Sequence, residues 1–155
     1  MREAGIHRIE VHVAAACVRQ SERGLEMLAL HRASSRSLFP GLWEGVGGQV
    51  GPGESLVHAV TRHLHEEASL SGQVICPVDT YVIDPGPTSG ASELIPGVRF
   101  LVSLPSGVQP QIDPRQHQGW RWVPVDQLAA VAWIPGMLEQ LRHAVSLFRT
   151  LGLSN

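Results

Sequence analysis

Two adjacent glutamates and a histidine fall on one side of a predicted helix. Residues 55–69 contain neither glycine nor proline, and apolar residues stand at 56, 57, 60, 64 and 68, near the i, i+3, i+4 spacing of an amphipathic helix. At about 100° per residue, His63, Glu66 and Glu67 project from the same side. Adjacent carboxylates suit a hard cation such as Mg²⁺ that is held jointly with substrate phosphates. The spacing therefore indicates metal and phosphate chemistry, although the same residue types are also typical of the solvated face of a helix.

A glycine-rich segment leads into this helix. Glycines stand at 45, 47, 48, 51 and 53, too many for a helix interior, so we expect loop and short strand there. Such a segment brings backbone carbonyl and N–H groups close to a ligand. Glu54 and Ser55 precede the helix, where an acid and an N-cap residue are expected. Arg62 stands four residues before Glu66, so the two side chains can pair across one turn.

The histidines of the helix allow two other interpretations. A zinc-protease motif H-E-x-x-H that begins at His65 needs a second histidine at position 69, where Ser69 stands, so this motif is excluded. A pair formed by His63 and Glu67 would instead favour Mn²⁺ or Zn²⁺ over Mg²⁺, because imidazole suits borderline metals. That preference remains a hypothesis at this stage.

The stretch from position 48 to position 70 resembles the signature of the Nudix hydrolases, G-x5-E-x7-R-E-U-x-E-E-x-G-U, in which U is aliphatic. Segments 28–32, 42–48 and 119–128 also resemble parts of that family, so the resemblance covers most of residues 9–145. Within the signature itself, seven positions over 23 residues agree at unbroken spacing: Gly48, Glu54, Arg62, Leu64, Glu66, Glu67 and Leu70.

The resemblance implies an α/β/α sandwich with a central mixed β-sheet. It also implies hydrolysis, dependent on Mg²⁺ or Mn²⁺, of a nucleoside diphosphate linked to another moiety. By the same resemblance, the Gly48 carbonyl, Glu66 and Glu67 would ligate the metal. Arg62 and Glu54 would hold the acidic side chains in position. The metal would neutralise the diphosphate and lower the pKa of a bound water.

Two further residues complete the predicted site. His63 is counted with Arg62, Glu66 and Glu67 as catalytic, as a substitute ligand or base. Arg32, at the end of a predicted strand, is counted with Glu54 on the substrate side. For Arg32 the sequence leaves two interpretations open: the side chain contacts a phosphate of the substrate, or it is an ordinary solvated surface residue.

The sequence departs from the family pattern at three positions. His63 stands where the family has a glutamate that binds metal or helps to deprotonate water, and imidazole is a poor Mg²⁺ ligand. Gln116 stands where many relatives have a glutamate just before a histidine, and an amide cannot serve as a general base. Ser69 replaces the last glycine and predicts a slightly different turn after the helix.

These departures leave two functions open. The first is a Nudix-type hydrolase. The second is a Nudix-like nucleotide-binding or regulatory domain that has largely lost hydrolysis. A His63→Glu variant separates them, because an enzyme with a latent site should gain activity and a dedicated binder should not.

The elements around this helix predict a single α+β domain over residues 1–155. The order is strands, helix, strands, helix, which favours a mixed sheet between helices. A short helix is expected from Asp126 to Ala130. The other predicted elements are strands at 9–18, 26–32, 74–83, 98–104 and 119–123, and a terminal helix at 135–151.

Two loops and a tryptophan pair are the remaining candidates for ligand contact. Segment 105–119 is predicted to be a lid and segment 84–92 a recognition loop, because long loops in compact domains are usually functional or mobile. Trp120 and Trp122 point to one face, and a core or interface pair is favoured over base stacking. Pro85 lies 15 residues past position 70, and the resemblance to the Nudix family implies a slight preference for ADP-ribose-like substrates from a proline at this distance.

The composition excludes several function classes. All 12 basic residues are arginine, so lysine Schiff-base chemistry and a P-loop lysine are excluded. The net charge of −2 without long charge runs argues against nucleic-acid and membrane-surface binding. No signal peptide or membrane span is indicated, so the cytoplasm is the expected location. The partner is expected to be a small nucleotide-derived molecule, and a homodimer is possible.

Overall fold

The structure is a computed structural model that describes residues 5–86 and 93–153. A short 3-10 helix, Val125–Ala130, precedes the last helix. In chain order the strands and helices are β1 (His12–Ser21), β2 (Gly24–Arg32), β3 (Trp43–Glu44), β4 (Val46–Gln49), α1 (Leu56–Ala68), β5 (Gln73–Ile83), β6 (Ile95–Leu104), β7 (His117–Pro124) and α2 (Met137–Thr150).

The strands form one mixed sheet. Its main path runs β3, β2, β1, β6, β5, while β4 pairs with β1 and β7 pairs with β2. The β1–β6 pair is parallel and the other strand pairs are antiparallel. The predicted α+β class with a mixed sheet is confirmed.

Alternate residues of β1 contribute to two separate cores. Val13, Ala15 and Cys17 pack in the cluster that contains buried residues of α1. Ala16 and Val18 belong to the cluster that contains buried residues of α2. Because successive side chains of a strand point to opposite faces, the sheet separates the two helices, and the layers are α/β/α.

Most predicted elements are confirmed with shifted boundaries. Strand β1 begins three residues later than expected and continues to Ser21. The Asp126 helix is present as the 3-10 helix. The helices of the described residues do not meet the length and hydropathy needed to cross a bilayer.

The segment predicted to be a lid is shorter than expected, since its last residues belong to β7. Gln111 N donates a 2.8 Å hydrogen bond to the Ala68 carbonyl at the end of α1. Val108 and Ile112 pack against the core on the α1 side. The other predicted loop, 84–92, lies in part outside the described residues.

The tryptophan pair belongs to the core, as predicted. Trp122 is buried in the α1-side cluster, and Trp120 is partly buried against the same cluster. The guanidinium carbon of Arg19 lies 3.9 Å from the Trp122 ring centroid, and Arg19 Nη1 donates to the Val108 carbonyl at 2.8 Å. The stacking surface of Trp122 is therefore used inside the molecule.

Helix α1 has a defined cap at each end. The Ser55 side chain accepts a hydrogen bond from His58 N, as expected of an N-cap. At the other end, Ser69 takes the left-handed conformation, with φ 54° and ψ 36°, and its N–H donates to the His65 carbonyl. Since this is the conformation that glycine takes at helix ends, the expectation of a different turn at Ser69 is wrong.

A Ser69→Gly variant should stabilise the protein by about 0.5–1 kcal/mol, because the left-handed conformation costs a residue with a side chain roughly 1–2 kcal/mol, part of which is offset by the greater unfolded-state entropy of glycine. Urea unfolding measures the change. The control is Ser71→Gly. It should give no gain, because Ser71 does not take a positive φ. Equal gains at both positions would contradict this explanation.

Candidate active site

An arginine–glutamate clamp holds the glycine-rich loop on α1. Arg62 Nε and Nη2 donate to Glu54 Oε2 and Oε1, each at 2.7 Å. Gly51 N donates to Glu54 Oε1 at 2.9 Å, and Arg62 Nη2 also reaches the Gln49 carbonyl at 3.1 Å. The hydrogen bonds from Arg62, followed by that from Gly51, lower the pKa of Glu54 to about 2. Glu54 therefore stays ionised and paired at neutral pH.

His63 lies directly against Gly48 of strand β4. A Cβ atom added at Gly48 would lie 2.3 Å from His63 Cε1, so only glycine fits here. His63 Nε2 is 2.8 Å from the Gln49 carbonyl oxygen, and Nδ1 is 3.2 Å from Glu67 Oε2. The Glu67 carboxylate, supported by the Gln49 carbonyl, raises the pKa of His63 against the opposing effect of burial. Both ring nitrogens thus have a partner that favours the imidazolium form.

Glu67 carries a buried oxygen whose hydrogen-bonding capacity is unused. The residue is 7% exposed, and its Oε2 has no hydrogen-bond partner in the described part of the chain. The contact with His63 Nδ1 has the distance of an ion pair but does not satisfy this oxygen as a hydrogen bond. Burial raises the pKa of Glu67, and His63 opposes that shift.

The residues predicted to hold metal fit a divalent cation. An orphaned buried carboxylate oxygen is a group that a cation would satisfy. Glu66, adjacent to Glu67, is exposed and lies 3.2 Å from Arg62 Nη1. No cluster of three His, Cys, Asp or Glu side chains is arranged around a metal position within residues 5–86 and 93–153. Mg²⁺ commonly binds through one or two carboxylates and completes its shell with water and substrate phosphates, which is the arrangement that Glu66 and Glu67 suit.

A buried network next to this site was missed by the sequence analysis. Arg32 Nη1 donates to Glu44 Oε2 at 2.6 Å, and His117 Nε2 lies 3.1 Å from the same oxygen. Burial alone would raise the pKa of Glu44, but the His117 hydrogen bond and the charge of Arg32 outweigh it and lower that pKa. The charges of His117 and Glu44 also act on Glu67. No spacing signal connects these residues, because they lie on three different strands.

Arg32 is not a solvated surface residue, so that alternative is wrong. It is 7% exposed, and its Nε and Nη2 donate to the Leu38 carbonyl at 2.9 and 2.6 Å. Its guanidinium is thus committed to Glu44 and a loop carbonyl. The phosphate contact of Arg32 stays a prediction. Gln116 is half-buried, and its carbonyl accepts a 2.9 Å hydrogen bond from Ala33 N.

The comparisons with known proteins agree with this geometry. A family model described as the NUDIX domain matches residues 10–144, so the chain belongs to the Nudix family. A search of curated proteins found no match.

Three solved structures show the same fold. The Ap4A hydrolase binary complex from C. elegans has a TM-score of 0.75 at 20% identity and covers 92% of this chain and 99% of that one. The MutT protein from Methanosarcina mazei Go1 has a TM-score of 0.69 at 17% identity, and the match covers 92% of this chain and 97% of that one. The NUDIX domain of Shewanella oneidensis NrtR, crystallised with ADP ribose, has a TM-score of 0.69 at 20% identity, and the match covers 92% of this chain and 90% of that one. At 17–20% identity these structures show the fold, and membership of the Nudix family supports an enzyme of the Nudix hydrolase type.

A Gly48→Ala variant should lose about 1–3 kcal/mol of stability, since overpacking the ring contact forces a shift. Adding His63→Ala should recover part of that loss, and a double-mutant cycle from urea unfolding gives the coupling. Gly119→Ala is the control, because the nearest atom to a Cβ there is 3.9 Å away. If the effects of the two substitutions on the free energy of unfolding simply add, the close contact between Gly48 and the His63 ring is contradicted.

The metal-free protein should lose stability as the pH rises above the ordinary histidine value of about 6.5. The raised pKa of His63 means that its stabilising effect is complete below the unfolded-state pKa and disappears as pH passes the folded-state pKa. Urea unfolding between about pH 6 and 8.5 should show a steeper decline for the wild type than for His63→Gln. His65→Gln, an exposed position on the same helix, should follow the wild type. Parallel curves for wild type and His63→Gln would contradict the ion pair.

Proposed function

We propose that this protein is a metal-dependent hydrolase that cleaves a nucleoside diphosphate linked to another moiety, with Mg²⁺ or Mn²⁺ as cofactor. The observation that carries the proposal is the buried Oε2 of Glu67, which has no hydrogen-bond partner among the described residues and only the 3.2 Å ion-pair contact with His63 Nδ1. It lies next to the exposed carboxylate of Glu66. Membership of the Nudix family and the similarity to structures with hydrolase names support it.

The residues of the chain have separable roles in this proposal. Glu66, Glu67 and the Gly48 carbonyl would hold the metal, which when bound would neutralise the diphosphate and lower the pKa of a water molecule. The clamp between Arg62 and Glu54 keeps the loop that follows Gly48 and the end of β4 fixed against α1. That preorganisation means that the ligand oxygens need little rearrangement when substrate arrives.

His63 acts as a positioning residue in this proposal. Its two ring nitrogens are engaged by the Gln49 carbonyl and by Glu67. To act as a base, or as a ligand for Mn²⁺ or Zn²⁺, His63 would have to break its contact with one of these partners. In the observed conformation it fixes the Glu67 carboxylate and offsets its charge until a cation binds.

The second candidate function is a nucleotide-binding or regulatory domain with little hydrolysis. The contact between His63 and Glu67 favours it, since protonated His63 would lower the affinity of the Glu67 carboxylate for metal. The amide of Gln116 also removes a possible base. In either case we propose a small nucleotide-derived ligand, not nucleic acid or a membrane. A cytoplasmic location and a homodimer stay predictions.

Phosphate and pyrophosphate release tests the hydrolase directly. The screen covers nucleoside triphosphates, ADP-ribose and dinucleoside polyphosphates, each with Mg²⁺ and with Mn²⁺. Glu67→Gln should lower kcat/KM at least about 100-fold, because loss of a ligand to the cation removes the electrostatic stabilisation that it supplies. Glu139→Gln, an exposed glutamate on α2, is the matched control and should retain activity. Release that persists in Glu67→Gln would overturn the proposal.

His63→Glu separates the two candidate functions. In a hydrolase with a weakened site, the added carboxylate should raise kcat/KM at least about tenfold and increase the affinity for Mg²⁺, because a hard oxygen ligand replaces an imidazole. In a dedicated binding domain the same change should leave turnover at the level of Glu67→Gln. Ligand-dependent melting shifts in the wild type would then identify the bound nucleotide.

A further inference from the structure

Arg99 of β6 is a buried cation without a carboxylate partner among the described residues. It is 5% exposed, and its Nε donates a 2.8 Å hydrogen bond to Gln140 Oε1 on α2. Within residues 5–86 and 93–153, its Nη1 and Nη2 take part in no hydrogen bond or ion pair. The fork of the guanidinium is therefore free to bind an acceptor.

The other buried arginines of the chain follow a different rule. Arg19 Nε lies 3.2 Å from Glu26 Oε1, and Arg32 Nη1 lies 2.6 Å from Glu44 Oε2. Removing an ion from water costs several kcal/mol, and a buried partner charge normally offsets that cost. Arg99 is the exception among these three, so its burial without an acid calls for an explanation other than stability.

Neighbouring residues hold the Arg99 side chain in place. Gln140 Nε2 donates to the Thr80 carbonyl at 3.0 Å, which directs its Oε1 towards Arg99. The Tyr81 ring centroid lies 5.3 Å from the guanidinium carbon of Arg99. A Cβ at Gly97 would lie 2.3 Å from Tyr81 Cζ, so Gly97 provides the room for this ring. The free fork is thus preorganised from two sides.

Among the described residues no acid forms an ion pair or a hydrogen bond with this cation, although the charges of Glu44 and Asp79 act on it. Burial raises the pKa of Tyr81 to about 12, so its hydroxyl stays protonated at neutral pH. Asp79 lies 3.8 Å from His143, and Glu44 already belongs to the network with Arg32. Asp79 and His143 are both exposed, so the edge of this cluster lies at the protein surface.

We propose that Arg99, held by Gln140 beside the Tyr81 ring, forms an oxyanion subsite for a phosphate or carboxylate group. The planar fork of an arginine matches two oxygens of either group and binds them through two parallel, charge-assisted hydrogen bonds. Binding of an oxyanion by Arg99 does not depend on the proposed function. Only the assignment of that oxyanion to a substrate of the Nudix site rests on the proposed function. There the subsite selects substrates with an acidic group outside the scissile diphosphate.

Arginine side-chain NMR on the metal-free protein tests the subsite without any turnover. The Arg99 Nε–H signal is identified by its loss in Arg99→Met, and the probes are inorganic phosphate and acetate. A saturable shift of this signal with either probe is expected, together with shifts of backbone amides in β6 and α2. Arg142→Met, an exposed arginine on α2, should bind like the wild type. No saturable shift, or amide shifts that persist in Arg99→Met, would overturn the subsite.

Melting temperatures distinguish the subsite from a purely structural role. Because Arg99 carries no buried ion partner, Arg99→Met should melt at or above the wild-type temperature. Arg99→Lys keeps the charge but lacks the fork, and it should bind the probes at least about tenfold more weakly. If Arg99→Met does not fold, the lysine variant decides. Wild-type affinity in Arg99→Lys would overturn the proposal.

Matched substrates test the selection step. UDP-glucose and UDP-glucuronate differ by one carboxylate, and ADP-ribose and its 2′-phosphate differ by one phosphate. Arg99→Met should lower kcat/KM for the more acidic member of at least one pair by about 10- to 100-fold relative to its partner. Equal effects within both pairs would contradict selection by this subsite. Absence of all hydrolysis would count against the proposed function alone, because the NMR measurement is independent of it.

Discussion

The carbonyl of Gln49 is the point on which the site depends. It accepts hydrogen bonds from two consecutive residues of α1, Arg62 and His63, at 3.1 and 2.8 Å. These contacts fix the helix against the last residue of β4, and the clamp with Glu54 fixes the intervening loop. Because Gly48 has no side chain, the His63 ring fits against the strand. The positions of Glu66 and Glu67 follow from this docking.

The clamp and the buried network serve different purposes. Around Glu54 the charges are paired near the surface, with 9% of the Glu54 side chain and 31% of the Arg62 side chain exposed, and this bidentate pair defines the loop geometry. Around Glu44 the charges are buried, and Arg32 and His117 satisfy one carboxylate between them. Glu67 lies within the electrostatic influence of that network and yet keeps an unsatisfied oxygen. Among the described residues, Glu67 is therefore the buried acid that keeps an oxygen without a hydrogen bond, where a cation would complete the site.

Local patterns predicted much of this arrangement. The glycine-free run after the loop predicts α1 within one residue at each end, and the helix spacing predicts the pairing of Arg62 with Glu66. The bidentate bond from Arg62 to Glu54 was not predicted. The placement of Ser69 shows where such reasoning fails, since this exposed serine takes a glycine conformation and completes the hydrogen bonds that end α1. Arg32, Glu44 and Arg99 were not predictable as partners or as unpaired charges. Their environments arise from strand pairing between distant segments, which leaves no periodic signal in the sequence.

In the proposed function, Glu67 binds a divalent cation together with the diphosphate of a nucleotide. The most direct test is Mn²⁺ binding, followed by electron paramagnetic resonance, in the presence of a non-hydrolysable nucleoside diphosphate analogue. Wild type and Glu139→Gln should bind Mn²⁺ equally, and Glu67→Gln should bind it at least about tenfold more weakly, as expected for loss of a charged ligand. Equal Mn²⁺ affinity in wild type and Glu67→Gln would contradict the account.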